Sequence, residues 1–335
     1  MASIREIAKY ANVSPGTVSR VLNEDPSLSV NPKTRERVRR VAQELNYNKQ
    51  SRVSRQIQIV THASKEKEMV DPYYRELRLA IEKEITQLNL TLKKTIRTDE
   101  LKRLTELSQV EKAGGVIVIG PFQDEVIQKL QQYNTNIVLI NQMKQPAYID
   151  AISSDLYQAM THLLTNLCQH GLSDVCYVGG QTKVRNIGKH HHQMIDDDRQ
   201  NAYVDWCDKQ HISPHYYKTE WRRESAQDVV KKMMKRDDMP DVIIAGNDML
   251  AVGIVQELQK NQYHVPGDVK VISFNDSEVA QYAVPMLTSV HIPIEEFGRQ
   301  AVRLIQDRLK GQRQVAIHMT LETTIQYRDS FPNFE

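Results

Sequence analysis

From Ile57 onward, short runs of β-branched residues alternate with longer stretches of helical period. That alternation restricts this part of the chain to parallel sheets covered by helices. The apolar runs are Ile57-Gln58-Ile59-Val60, Gly115-Val116-Ile117-Val118-Ile119-Gly120, Ile137-Val138-Leu139-Ile140, Val175-Cys176-Tyr177-Val178, Val242-Ile243-Ile244-Ala245 and Val269-Lys270-Val271-Ile272-Ser273-Phe274. Nearly continuous runs of this length suit strands buried on both faces. Between them, 73–88 turns Leu77, Ala80, Ile81, Ile85 and Leu88 to one side at helical spacing, and 295–310 does the same with Phe297, Ala301, Ile305 and Leu309. Helices also fit 99–111, 123–133, 155–169, 199–210, 223–236 and 248–260; further strands fit 91–96 and 215–219, and 315–326 is extended. This order gives an open parallel sheet with helices on both faces. The pattern restarts near residue 155, which predicts two similar α/β lobes with a cleft between them. The boundaries expected are 58–152 plus 286–314 for the first lobe and 153–285 plus 315–330 for the second, with the Val284-Pro285 region as a crossover. Sheets of this kind bind ligands beyond the carboxyl ends of their strands.

The segment before Ile57 obeys a different pattern. Residues 1–57 hold 11 Lys or Arg against 5 Asp or Glu, a net +6, which leaves −4 for the remainder of a chain whose total is +2. A basic head on a mildly acidic body points to a polyanion partner for the head. Three short helices fit it. Ile4, Ile7, Ala8 and Ala11 share one face. In the second helix Ser14 is the N-cap, Pro15 takes the first helical position, and Val18, Val21 and Leu22 form the buried stripe. The third begins after Asn31 and Pro32 and turns Val38, Val41, Ala42 and Leu45 inward. Each is too short to be stable alone; packed together they form one small core, a helix-turn-helix head over 1–47. A recognition helix must bring small polar groups and an arginine to the base edges. Here Thr17 and Ser19 suit phosphate contacts and Arg20 a guanine edge, while Pro15 and Gly16 leave the helix tip without side-chain donors. The other reading of Arg20 is a surface salt bridge. Residues 48–56 are polar and basic, a linker signature.

Polar side chains collect at predicted strand ends. Asn247 and Asp248 follow one strand, Asn275 and Asp276 another, and Arg199 opens a helix after a long loop, 181–198. Sugars present hydroxyls at fixed angles, which Asn, Asp and Arg satisfy with directional bonds, and an aromatic face covers the apolar side of the ring. Asp248 is equally well read as a helix cap. Asn275 and Asp276 are the better ligand candidates, because two polar side chains exceed what one cap needs. In the first lobe His62 ends a strand, and Asp71-Pro72-Tyr73-Tyr74 opens the next helix with Asp71 as cap; Tyr73 and Tyr74 line the cleft or close the lobe's core.

Other classes find less support. No stretch approaches the ~20 apolar residues of a membrane span, and MASIREIAKYANVSP lacks a signal peptide's apolar run. The expectation is a cytoplasmic protein. Cys168, Cys176 and Cys207 fit neither a disulfide framework nor a zinc knuckle. His190-His191-His192 and Asp196-Asp197-Asp198 are metal-ligand types, but consecutive histidines seldom point at one ion, and no metal or cofactor is expected. No nucleophile–base pair, phosphate loop or GxGxxG run is present, and Gly179-Gly180 is too little for a dinucleotide site. A binding protein rather than an enzyme is the reading; an α/β sugar enzyme with an accessory DNA head is the alternative.

With Ile4-Arg5-Glu6-Ile7-Ala8, Val13 through Asn23, Thr34-Arg35 and Leu45-Asn46-Tyr47 in place, the chain resembles the LacI/GalR family of bacterial repressors over essentially its whole length. Within it, Asp71-Pro72-Tyr73-Tyr74, Arg199 followed by Ala202, and Asn275-Asp276 look most like the evolved β-galactosidase repressor branch. The resemblance implies a periplasmic-binding-protein-like effector domain over 58–335 and a homodimer, joined through both lobes, that reads a roughly palindromic double-stranded operator. It assigns DNA reading to Pro15, Gly16 and Arg20, with Ser14, Thr17 and Ser19 nearby, and sugar binding to Arg199, Asn247 and Asn275, with Asp276 beside it. It implies an inducer of galactose or β-galactoside type; a different sugar or a corepressor are the alternatives. No leucine heptads follow Ile325, so no tetramerising helix is expected. Two departures stand out. Tyr47-Asn48-Lys49-Gln50 lacks the family's proline, leaving 48–57 as a shortened hinge with Val53 or Ile57 as a minor-groove wedge. The other is the long loop 181–198 before Arg199, which either gates the cleft or lies on the surface.

Overall fold

The structure is a computed structural model and describes residues 4–22, 24–25, 27–45, 54–142, 144–184, 186–188 and 193–333. The chain falls into two compact units that part between Val53 and Ser54.

The smaller unit holds α1 (Ile4–Ala11), α2 (Pro15–Leu22) and α3 (Pro32–Glu44). Ile7, Ala8, Ala11, Val18, Val21, Val38, Val41 and Ala42 form its core. The anticipated cap of α2 is present, and α3 carries one that the sequence reading did not name. The Thr17 amide donates to Ser14 Oγ at 3.0 Å, and the Lys33 amide to Asn31 Oδ1 at 2.9 Å, with Pro32 at the first helical position.

The larger unit runs β1 (Gln56–Thr61), α4 (Lys65–Val70), α5 (Pro72–Gln87), β2 (Thr91–Leu92), β3 (Ile96–Arg97), β4 (Gly115–Ile119), α6 (Asp124–Tyr133), β5 (Ile137–Ile140), β6 (Asp150–Ser154), α7 (Leu156–Gln169), β7 (Val175–Val184), β8 (Gln193–Asp196), α8 (Asp198–Gln210), β9 (Tyr216–Thr219), α9 (Arg223–Arg236), β10 (Val242–Ala245), α10 (Asp248–Lys260), β11 (Lys270–Asn275), α11 (Glu278–Tyr282), β12 (Thr288–His291), α12 (Ile294–Leu309), β13 (His318–Leu321) and β14 (Thr324–Gln326). The first lobe's sheet is ordered β13-β6-β5-β4-β1-β2, with β3 also on β1; the second is β14-β12-β11-β10-β7-β8, with β9 on β7. Pairing is parallel throughout the first sheet, and antiparallel only for β7–β8 and β12–β14 in the second. Connections from a strand of one sheet to a strand of the other therefore occur three times among the described residues: after β6, after β12, and between β13 and β14. Asp155 Oδ1 accepts the Thr323 amide at 3.0 Å and ties two of these crossings together. Among the described residues no helix is long and apolar enough to cross a membrane.

Several boundaries differ from expectation. Residues 288–291 form β12 of the second sheet, so the crossing back follows His291 rather than Val284-Pro285. The run 315–326 is two strands in two sheets. Residues 91–96 break into β2 and β3 at the two ends of β1, where the buried Gln58 side chain donates to the Lys94 carbonyl between them. The helix expected over 99–111 is instead two 3₁₀ turns, Thr98–Glu100 and Leu104–Val110. Leu101, Leu104, Leu107 and Val110 recur every third residue, the period of a 3₁₀ helix and not of an α-helix. The hinge also ends early. Ile57, one of the two candidate minor-groove wedges, lies fully buried inside β1, paired with Leu92 and Gly115. A side chain in a sheet core is not available to wedge between bases. Val53, the other candidate, lies outside the described residues, as do Asn46, Tyr47 and the histidines 190–192.

One buried charge anchors the end of α12 to the sheet. Asp150, with no exposed surface, accepts from Arg308 Nε at 2.7 Å, from Arg313 Nη1 and Nη2 at 2.7 Å each, and from the Ile317 amide at 2.7 Å. Burial alone raises a carboxyl pKa, yet these donors leave Asp150 below its ordinary value. Removing one partner of such a cluster strands the others. Asp150→Ala is expected to lower the unfolding free energy in urea by about 3–5 kcal/mol; a loss under about 1 kcal/mol contradicts this reading.

Candidate functional site

The carboxyl ends of the strands in both lobes open on one cleft of about 1140 Å³. Its first-lobe wall comes from the segments after β1 and β5 and from the start of α5. Asp71 Oδ1 accepts the Tyr73 amide at 3.2 Å, and Pro72 follows at the first helical position; this cap sets Tyr73 and Tyr74 at the cleft. Tyr73 Oη accepts from Asn141 Nδ2 at 2.6 Å. The Tyr74 ring meets His62 edge-on at 4.9 Å and lies 4.4 Å beneath Lys67 Nζ. His62 Nδ1 is 3.2 Å from the Ile119 carbonyl, which can only accept, so this nitrogen carries the proton; Nε2 then accepts from Lys67 Nζ at 3.0 Å. The bend after β4 puts Gly120 at φ +99°, where a Cβ would collide with the His62 ring.

The second-lobe wall centres on Arg199. Asp197 caps α8 and also holds the guanidinium in a two-pronged pair, Nε to Oδ1 at 2.6 Å and Nη2 to Oδ2 at 2.9 Å. Arg199 Nη1 donates to the Gly246 carbonyl, and the Trp221 and Phe274 rings lie 5.2 and 5.4 Å from the guanidinium carbon. Despite burial, which opposes the charge, the adjacent Asp197 raises the Arg199 pKa. Asn247 ends β10's connection by capping α10 through the Leu250 amide at 2.9 Å; its Nδ2 reaches across the cleft to Asp71 Oδ2 at 3.3 Å. Enclosure raises the Asp71 pKa. Arg222 and Glu66 form a second, exposed bridge between lobes at 3.6 Å.

Of the ligand candidates, His62, Tyr73, Arg199, Asn247 and Asn275 all line this cleft. Asp276 does not. Asn275 and Asp276 are both left-handed, at φ 104° and 54°, and their side chains part company. Asp276 turns to the half-buried Arg328 at 2.6 Å and to His291 at 3.0 Å, so its carboxylate is spent on a structural cation. Asp248, open between cap and ligand, is buried away from the cleft wall and accepts from Ser273 Oγ at 2.6 Å, Ser289 Oγ at 2.8 Å, the Ser277 amide at 2.8 Å and Ser277 Oγ at 2.7 Å. Trp221, Asn141 and Asp197 were missed. Trp221 follows the strand over 215–219, so the strand-end rule that selected Asn247 also selects it.

The cleft is nearly charge-balanced. Its described lining holds six Lys or Arg and eight Asp or Glu side chains. Arg199 pairs with Asp197 at 2.6 Å, Lys218 with Asp196 at 2.7 Å and Arg222 with Glu66. Such a site suits a neutral polyhydroxylated ligand better than an anion. Among the described residues no three His, Cys, Asp or Glu side chains converge as a metal site would require.

On the head, Ser14, Pro15, Gly16 and Arg20 are exposed, and Thr17 and Ser19 half-buried. Gly16, Ser19 and Arg20 share one helical face. The Arg20 guanidinium is held by Asp25 Oδ2 at 2.8 Å and Ser27 Oγ at 3.0 Å, the surface pair considered as its alternative reading. Ser27 and Arg20 hold the Asp25 carboxyl down at about 2.

Behind the cleft, burial pushes Asp248 up from 3.8 to about 6, its four donors notwithstanding. A raised folded pKa means that the folded state binds more protons than the unfolded chain between these values. The associated stability is full below the unfolded pKa of 3.8 and is lost as pH rises through about 6, a change worth about 3 kcal/mol. The stability of the natural protein relative to Asp248→Asn is therefore expected to decline from pH 4 to pH 6 in urea titrations; a pH-independent difference contradicts it.

Residues 3–50 match the family described as bacterial regulatory proteins, lacI family, and residues 164–331 the periplasmic binding protein-like domain. The chain is 32% identical to the HTH-type transcriptional repressor MelR of Bacillus subtilis (strain 168), over 98% of this chain and 97% of that one. It is 30% identical to the HTH-type transcriptional regulator GalR of Streptococcus thermophilus, over 98% of this chain and 99% of that one. A solved complex of the transcriptional regulator CelR with cellobiose shares the fold, with TM-score 0.67 and 22% identity over 98% of this chain and 100% of that one. Kinship that runs the full length of such regulators, from the capped α2 of the head through both lobes, settles the matter: this chain belongs to the LacI/GalR family of helix-turn-helix transcriptional regulators.

Proposed function

We propose that this regulator acts in the cytoplasm as a homodimeric repressor, holding operator DNA through α2 of two heads and releasing it when a neutral sugar of galactose or β-galactoside type fills the cleft. The carrying observation is the convergence of Arg199, Asn247 and Asn275 with the Trp221 ring in a charge-balanced cleft. Directional donors and acceptors meet hydroxyls, and the aromatic ring covers the apolar face of a pyranose. The balance of charge disfavours a phosphorylated sugar. The family's members are non-catalytic, and turnover of the sugar is not expected.

The bridge from Asn247 to Asp71 supplies a coupling element. Both side chains line the cleft, so a ligand hydroxyl competes for the same atoms and changes what holds the lobes together. In a dimer joined through both lobes, that change alters the spacing of the heads.

The test is fluorescence anisotropy of the protein on its own upstream intergenic DNA, at fixed salt because phosphate contacts make affinity salt-dependent. Galactose, lactose, allolactose and longer galactosides are added in turn. At least one is expected to weaken DNA binding tenfold or more. Arg199→Ala is expected to keep DNA affinity and lose the sugar response. Arg20→Ala is expected to weaken DNA binding by about 1–3 kcal/mol. DNA binding that no galactoside disturbs discards the galactoside assignment, and absence of DNA binding discards the repressor.

A further inference from the structure

The segment 181–198 was left open between a gate over the cleft and a surface loop; its described residues form an arm that reaches from one lobe to the other. β7 runs on past the sheet to Val184, and β8 returns antiparallel, pairing Gln181 with Asp196, Thr182 with Ile195, Lys183 with Met194 and Val184 with Gln193. Its base is fixed beside Arg199. Gln181 Nε2 and Lys218 Nζ donate to Asp196 Oδ1 at 2.8 and 2.7 Å, and the Gln181 carbonyl accepts from Trp221 Nε1 at 3.0 Å. Its far end is fixed in the opposite lobe. Ile187, only 4% exposed, packs in the first lobe's core with Leu107, Val110 and Phe122. Gly188, at φ +75°, lies so close to the Lys102 carbonyl that a Cβ would collide with it. An isoleucine of one lobe buried in the core of the other is a hydrophobic anchor.

Between these fixed points the arm lines the cleft with Thr182, Lys183, Met194 and Ile195. Met194 is 50% exposed there, an apolar surface on the cleft wall that a ligand can cover. The volume of about 1140 Å³ exceeds the ~300–1,000 Å³ typical of small-molecule pockets, and is more than one six-carbon sugar fills. We infer that the arm, anchored by Ile187, is a specificity wall that gives the cleft an outer subsite for a second, linked sugar ring. This rests on the reading of the cleft as a sugar site. The inner groups around Arg199 hold the first ring; the arm, Met194 above all, contacts the next.

The test is isothermal titration of the full chain with galactose and with the galactosyl disaccharide lactose, alongside melting temperatures. The natural protein is expected to bind the disaccharide at least tenfold tighter. Ile187→Ser and Met194→Ser are expected to lose that gain while their galactose affinity moves less than twofold, and Ile187→Leu to retain it. A disaccharide preference unchanged in both serine variants overturns the inference, as does an equal loss for both sugars. Should Ile187→Ser fail to fold, the exposed Met194→Ser decides by the same two outcomes. A natural protein that binds neither sugar overturns the galactoside reading and this inference with it, whereas binding without discrimination overturns only the inference.

Discussion

The cleft is organised around a buried cation. A guanidinium withdrawn from water is tolerated only with a counter-charge and nearly all of its hydrogen bonds made. Asp197 supplies both prongs of the charge pair, the Gly246 carbonyl takes a third donor, and two aromatic rings flank the plane. These partners belong to the start of α8, the end of β10, the segment after β9, and β11. The one side chain therefore fixes the relative positions of four strand-end segments. It also sets the character of the site. Neutralised by Asp197, Arg199 offers its remaining N–H groups as directional donors without giving the cleft a positive potential.

The two lobes are joined in a way that allows this site to be read elsewhere in the molecule. Three chain crossings link them, and the Asp155–Thr323 bond holds two of the three together. Across the open side the contacts are of another kind: the Asn247–Asp71 hydrogen bond, the exposed Arg222–Glu66 pair, and Ile187 in the facing core. Polar bridges of this sort exchange readily for bonds to a ligand, since a hydroxyl can replace either partner. A ligand shifts the balance between arrangements only by binding one better than the other. The bridging residues Asn247 and Asp71 both line the cleft, so a ligand that engages them competes directly with the bridge.

Much of this was legible before any coordinates. The βα alternation yielded the parallel sheets; the strand-end rule picked out His62, Asn247 and Asn275, and the helix starts picked out Tyr73 and Arg199, all of which line the cleft. Caps at Ser14 and Asp71 were readable because each needs only local chemistry. The failures share a cause. Period and propensity describe a strand but not its neighbours, so β12 was left unread and the run 315–326 was not divided between two sheets. Ile57 was read both as the start of a strand and as a hinge wedge, because its burial depends on β2 and β4, distant in sequence. Asp276 looked equivalent to Asn275 because nothing local announces that two successive left-handed residues separate their side chains. The arm's reach was hidden by its composition: a largely polar segment leaves gate and surface loop equally open until Ile187 is seen in the facing core.

The central claim is that effector binding and DNA binding are coupled through this unit. Coupling of binding free energies is reciprocal, so an effector that weakens operator affinity must itself be bound more weakly on the operator, by the same factor. The direct measurement is effector affinity by isothermal titration, on the free protein and on the protein saturated with its operator. The account predicts weaker binding on DNA, by the factor through which the same sugar lowers DNA affinity. Equal affinity in the two states contradicts it.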